Sequence, residues 1–149
     1  MNIKKWIAVS TACILSFASV AAQTTTPISL TPLPKSIVQS DGEFVIGDKL
    51  NAMVTPIAEV VFEEFAKGFT TATNIKIKQV GKSAKAQLEL HNLPSIAAEG
   101  YSLEISSKKI LVYASQPAGF FYELQTLKQL MPVQVYGDVK VDNVEWTVP

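Results

Sequence analysis

The chain has 149 residues, one histidine, one cysteine, no arginine, and 13 lysines balanced by 13 acids for a formal net charge of zero. That length suits one domain around one core. The missing guanidinium and the even charge argue against nucleic-acid binding and against a dedicated anion site, and one cysteine rules out a disulfide framework or a thiolate zinc site.

Residues 1–22 read as a secretory signal peptide. Lys4 and Lys5 supply the positive start, Trp6 to Val20 an apolar stretch, and Ser19, Ala21 and Ala22 the small residues that a signal peptidase accepts. The apolar run is shorter than the roughly 20 residues that span a bilayer. Cys13 lies inside that run, and Ser10-Thr11-Ala12 before it lacks the aliphatic start of a lipobox. The expectation is an exported protein, periplasmic or extracellular, not a lipoprotein and not held in a membrane after cleavage. Cleavage removes Cys13 and both early lysines, leaving a slightly acidic chain without cysteine.

Residues 23–27 are polar and expected to be a flexible leader. The ordered domain is expected over 28–149. Pro32 and Pro34 impose an extended edge or surface path. Ser40-Asp41-Gly42 between two short β-rich runs predicts a hairpin. A first helix is expected from about Thr55 to Thr71, with Pro56 at its first position and an apolar stripe of Ile57, Val60, Val61, Phe65 and Phe69. Asn74 to Val80, Gln87 to His91 and Tyr101 to Ile105 alternate apolar with polar residues and predict strands; Lys109 to Tyr113 predicts a more central one. A second helix follows from about Pro117 to Met131, with Phe120, Phe121, Leu124, Leu127, Leu130 and Met131 inward, and Pro132 ends it. Val133 to Tyr136 and Val141 to Trp146 suggest a last hairpin. The fold class is α+β: a two-layer sandwich, its sheet mostly antiparallel, with two amphipathic helices on one face.

Chemistry is sparse. Glu89 lies two residues before His91 on one strand and shares its face, but one histidine and one carboxylate do not fill a metal site. Glu63 and Glu64 point about 100° apart on a helix and do not converge. Gly100-Tyr101-Ser102 lacks the second glycine of a nucleophile elbow, and no glycine-rich phosphate loop exists. No catalytic residue, metal ligand or cofactor is assigned, and the substrate-binding residues stay unknown. Tyr101, Tyr113, Tyr122, Tyr136 and Trp146 offer rings on which a glycan could stack, but read better as core or interdomain packing. Gly119 is expected to bring the second helix close to the sheet.

Three blocks carry a resemblance: Leu30-Thr31-Pro32-Leu33-Pro34-Lys35, Glu99-Gly100-Tyr101-Ser102-Leu103-Glu104-Ile105, and Gly119-Phe120-Phe121-Tyr122 with Gln125-Thr126-Leu127 and Gln129-Leu130. In this order they resemble the non-catalytic N-terminal domain of bacterial family 20 glycoside hydrolases, the β-N-acetylhexosaminidases. Glu123 departs from the pattern, since many members have glycine there. The resemblance implies a partner in cis, a (β/α)8 barrel carrying an Asp-Glu pair. A barrel takes about 250 residues, so it is expected to be absent here. The implied function is to pack against that barrel and stabilise an exported enzyme acting on terminal N-acetylhexosamine residues of glycans, with the chain inactive alone. Gln125, Gln129 and Trp146 are the candidates for interdomain packing. A stand-alone secreted module binding a glycan or a protein, or the matching domain of an α-glucuronidase or O-GlcNAc hydrolase, are the alternatives.

Overall fold

The protein is described here by a computed structural model covering residues 28–39 and 42–149. The expected signal peptide, the leader and the tip of the first expected hairpin lie outside the described residues. The elements are β1 (Phe44–Val45), β2 (Lys49–Val54), α1 (Glu59–Thr73), β3 (Lys76–Gln79), β4 (Leu88–Asn92), β5 (Tyr101–Ile105), β6 (Ile110–Ala114), α2 (Pro117–Leu130) and β7 (Thr147–Val148). Five strands form one sheet in the order β3-β2-β4-β6-β5, and β1 pairs with β7 in a small antiparallel ribbon.

The expected α+β two-layer sandwich is present. Strand direction needs a correction within it. In the main sheet β2 runs parallel to β3 and to β4, and β4 runs parallel to β6; β5 with β6 is the antiparallel pair. The cause is β2, a strand that the apolar pattern of the sequence does not announce. With β2 in place, α1 becomes the crossover of a β2–α1–β3 unit, and a strand–helix–strand crossover joins parallel strands. The hairpins expected at 35–46 and 133–146 do not form among the described residues. Instead Phe44 pairs with Val148, and Val133–Tyr136 winds as a short 3-10 helix.

Pro56–Ala58 forms a 3-10 turn leading into α1, and proline at its first position gives up an amide that has no helical partner there. The helix closes at Asn74, whose left-handed backbone (φ 59) lets its amide bond the Thr70 carbonyl. The inward stripe of α1 is Phe62, Phe65 and Phe69, and Val60 points to solvent at 80% exposure. Phe65 stacks on Phe69 at 5.8 Å, and Trp146 meets Phe69 edge-on at 6.5 Å. In α2 the inward residues are Phe120, Leu124 and Leu127, and Phe121 is 43% exposed.

Facing the helices, the sheet contributes Leu50 and Ala52 from β2, Leu88 and Leu90 from β4, and Ile110, Val112 and Ala114 from β6, in one continuous core. Each fully buried Leu or Phe in it stabilises the fold by about 1.5–3 kcal/mol. The alternate residues, among them Glu89, His91, Leu111 and Tyr113, line the opposite sheet face, which no helix among the described residues covers.

Candidate functional site

The three sequence blocks meet in space. Block one touches block three through Gln129: Thr31 donates its amide to Gln129 Oε1 at 2.9 Å, and Gln129 Nε2 donates to the Thr31 carbonyl at 2.9 Å. Block two touches block three through Tyr101 Oη and Thr126 Oγ1, 2.8 Å apart. The hydroxyl of Thr126 also reaches the Tyr122 carbonyl, one turn back, at 3.0 Å. Where Gly119 lies against Gly100, an added Cβ would stand 2.4 Å from the Gly100 carbonyl oxygen and 2.9 Å from Ala114 Cβ. The close approach expected at Gly119 is therefore real, and no larger residue fits without moving α2.

These contacts assign the three expected interdomain residues to different places. Trp146 is 7% exposed and belongs to the domain's own core. Gln129 clamps the backbone of Thr31 through both ends of its amide. Gln125 lies on the outer side of α2, in a groove between the helices with Val61, Glu64, Gly68, Phe121 and Lys128 and a volume near 250 Å³. Val60 stands one turn before Glu64 on the same helix, and Tyr122 is half-exposed beside Phe121. Sequence reasoning placed Val60 and Phe121 in the core. At about 100° per residue Val60 lies on the side of α1 opposite Phe62, Phe65 and Phe69, and Phe121 lies beside the Phe120–Leu124–Leu127 stripe and not in it, so both turn outward.

The sheet face opposite the helices holds a polar cluster centred on Glu89. Glu89, nearly buried, accepts from Ser83 Oγ at 2.8 Å and from the Lys109 ammonium, and His91 Nε2 lies 2.9 Å from its second oxygen. Lys109 also donates to the Ser83 carbonyl at 3.0 Å, and His91 stacks on Tyr113 at 5.3 Å. Burial alone would raise the Glu89 pKa. The hydrogen bonds from Lys109, Ser83 and His91, with the charge of Lys109, outweigh it and hold the group below the ordinary value. Burial, with the nearby Glu104 and Glu89 charges, raises the Tyr113 phenol.

This cluster contains serine, histidine and carboxylate, but it is not wired as a nucleophilic relay. Ser83 and His91 bond to different oxygens of Glu89, so the base does not reach the hydroxyl it would have to activate. Its effect is to tie the β3–β4 crossover, β4 and the β5–β6 turn together. Among the described residues no group of three or more His, Cys, Asp or Glu side chains is placed to hold a metal ion, and no helix is long and apolar enough to cross a membrane.

Comparison with known proteins bears on what such a domain belongs to. The family model described as "Glycosyl hydrolase family 20, domain 2" matches residues 27–147. A Beta-hexosaminidase of Porphyromonas gingivalis is 26% identical over 127 residues, which is 82% of this chain and 16% of that protein. A mutant Streptomyces plicatus beta-hexosaminidase solved with its product GlcNAc superposes with a TM-score of 0.74 at 24% identity, over 83% of this chain and 25% of the other. The family 20 exo beta-N-acetylglucosaminidase of Vibrio harveyi, solved with N-acetylglucosamine, gives 0.66 at 18% identity, over 79% of this chain and 17% of the other. The two solved structures share the fold. In each case the chain spans a quarter or less of the relative's length. With its family match running from the residue before the first described one to within two residues of Pro149, and the three sequence blocks joined in one seam, the chain belongs to glycosyl hydrolase family 20, as its domain 2.

Proposed function

We propose that this domain serves an exported β-N-acetylhexosaminidase as its non-catalytic part, packing against the catalytic barrel and stabilising it without performing the reaction. The observation that carries the reading is the outer face of the two helices. Phe121, large, apolar and exposed, lines a groove there with Gln125, Val61 and Glu64, and Val60 stands exposed on the same helix one turn before Glu64. Large apolar side chains exposed among charged ones mark a surface suited to a neighbouring domain. Support for the absence of chemistry comes from the Glu89 cluster, where Ser83, Lys109 and His91 all bond to the Glu89 carboxylate and the histidine does not reach the hydroxyl. The signal-like residues 1–22 support export, and the parent family supports terminal N-acetylhexosamine residues of glycans as the substrate class.

A chimaera tests this. Residues 28–149 replace the matching segment of the Porphyromonas gingivalis relative, with and without the pair Val60→Glu and Phe121→Glu. The expected result is that the double change lowers the temperature of half-inactivation of the chimaera by several degrees and leaves the melting of the isolated domain nearly unmoved. Equal inactivation temperatures would refute packing through this face.

A further inference from the structure

Glu123 is fully buried at the middle of α2, and neither carboxyl oxygen has a hydrogen-bond partner. It follows by one turn the glycine contact between Gly119 and Gly100, and precedes by one turn the Thr126–Tyr101 hydrogen bond. Both neighbours pin α2 to the sheet, so the carboxyl is held in the seam between α2 and strands β5 and β6. An ionised carboxylate without partners in such a place costs far more than the neutral acid, so the group keeps its proton. Burial pushes its pKa up to about 10; the backbone amide of Tyr113 approaches without making a hydrogen bond and offsets this only in part.

The elements packed on α2 offer no cation to hold the ionised form. From β5 the facing titratable group is Tyr101, whose hydroxyl is already bonded to Thr126. From β6 it is Tyr113, whose ring stacks on His91 at the opposite sheet face. The charged groups of α1, namely Glu59, Glu63, Glu64 and Lys67, are exposed, and the 3-10 helix at 133–136 brings Tyr136, which lies under Lys128 at 4.7 Å.

We propose that Glu123 is a proton-dependent latch on the helix–sheet seam: the neutral acid lets α2 close on β5 and β6, and loss of the proton releases it. The sign follows from linkage. The unfolded chain carries Glu123 at its ordinary value of 4.5, and the folded chain holds the proton up to about 10. Between those values the folded state binds the extra proton. The stability from this group is therefore fully present below 4.5 and is lost as pH rises through the folded value. One proton corresponds to about a tenfold rise in the unfolding equilibrium constant per pH unit.

The test is urea denaturation of the whole chain from mildly acidic to alkaline pH, beside Glu123→Gln. The glutamine has nearly the same shape and does not titrate. Its amide is equally short of partners, so the slope against pH is the readout and the absolute stability is not. The wild type is expected to lose stability steadily toward alkaline pH, with the Glu123→Gln curve flatter by about one proton's worth, tenfold per unit. Parallel curves would overturn the proposal. Should the variant not fold, infrared spectra of the wild type with isotope-labelled glutamate decide: one carboxyl band of the neutral acid at neutral pH supports the latch, and its absence overturns it.

Discussion

Two glutamates in this domain respond to pH in opposite ways. Glu89 is held ionised by three donors, and Glu123 is held neutral by burial without partners. The Glu89 pKa is depressed below 4.5, so its contribution is present above 4.5 and lost as pH falls through the lowered folded value. Glu89→Ala should cost about 1–3 kcal/mol at neutral pH, the usual cost of leaving buried polar partners unpaired. The lower part of that range applies because Lys109 and His91 keep about a third of their side-chain surface in water. Urea titration checks it: the variant should be less stable at neutral pH and should show a smaller loss of stability on acidification. A variant as stable as the wild type would mean that the cluster contributes nothing. The Glu89–His91 pairing on one strand face was legible from their spacing. The roles of Ser83 and Lys109 were not, because they arrive from a turn and from the next hairpin. Glu123 was visible only as a departure from a family pattern, and periodicity alone does not tell an inward glutamate from an outward one.

At the level of elements, α2 is the organising piece. Gly119 sets its distance from the sheet, Thr126 fixes its register on Tyr101, and Gln129 holds the incoming segment at Thr31. Gly119→Ala would force its Cβ against the Gly100 carbonyl, a backbone atom that does not swing away. Overpacking of this kind costs about 1–3 kcal/mol, and a fall in the urea midpoint at unchanged slope is the expected signature. A stabilised variant, as helix propensity alone predicts for glycine to alanine, would contradict the close approach. The ranges of α2, β4, β5 and β6 could be read to within a residue or so, because apolar spacing and Pro117 mark them. β2 could not: Lys49-Leu50-Asn51-Ala52-Met53-Val54 is poor in β-branched and aromatic residues, and its place is won by burial of Leu50 and Ala52 between neighbours. Without β2 the crossover is invisible in the sequence and the sheet reads as mostly antiparallel.

For the whole molecule, the uncovered sheet face and the outer helix face differ in kind. The sheet face carries a polar cluster gathered on Glu89, and the helix face exposes Val60 and, in the Gln125 groove, Phe121. That difference favours the helices as the side that meets a neighbouring domain, and it leaves Gln125 as the interdomain candidate that the domain does not already use. Trp146 and Gln129 are spent on internal packing, which their sequence positions near the end of the domain and of α2 did not reveal. The central claim is that this family 20 domain supports a hexosaminidase without carrying its chemistry. It is tested most directly by assaying the purified chain on a chromogenic N-acetylglucosaminide. The account predicts release of chromophore at the rate of the buffer blank. Turnover above the blank that follows the chain through successive purification steps would contradict it.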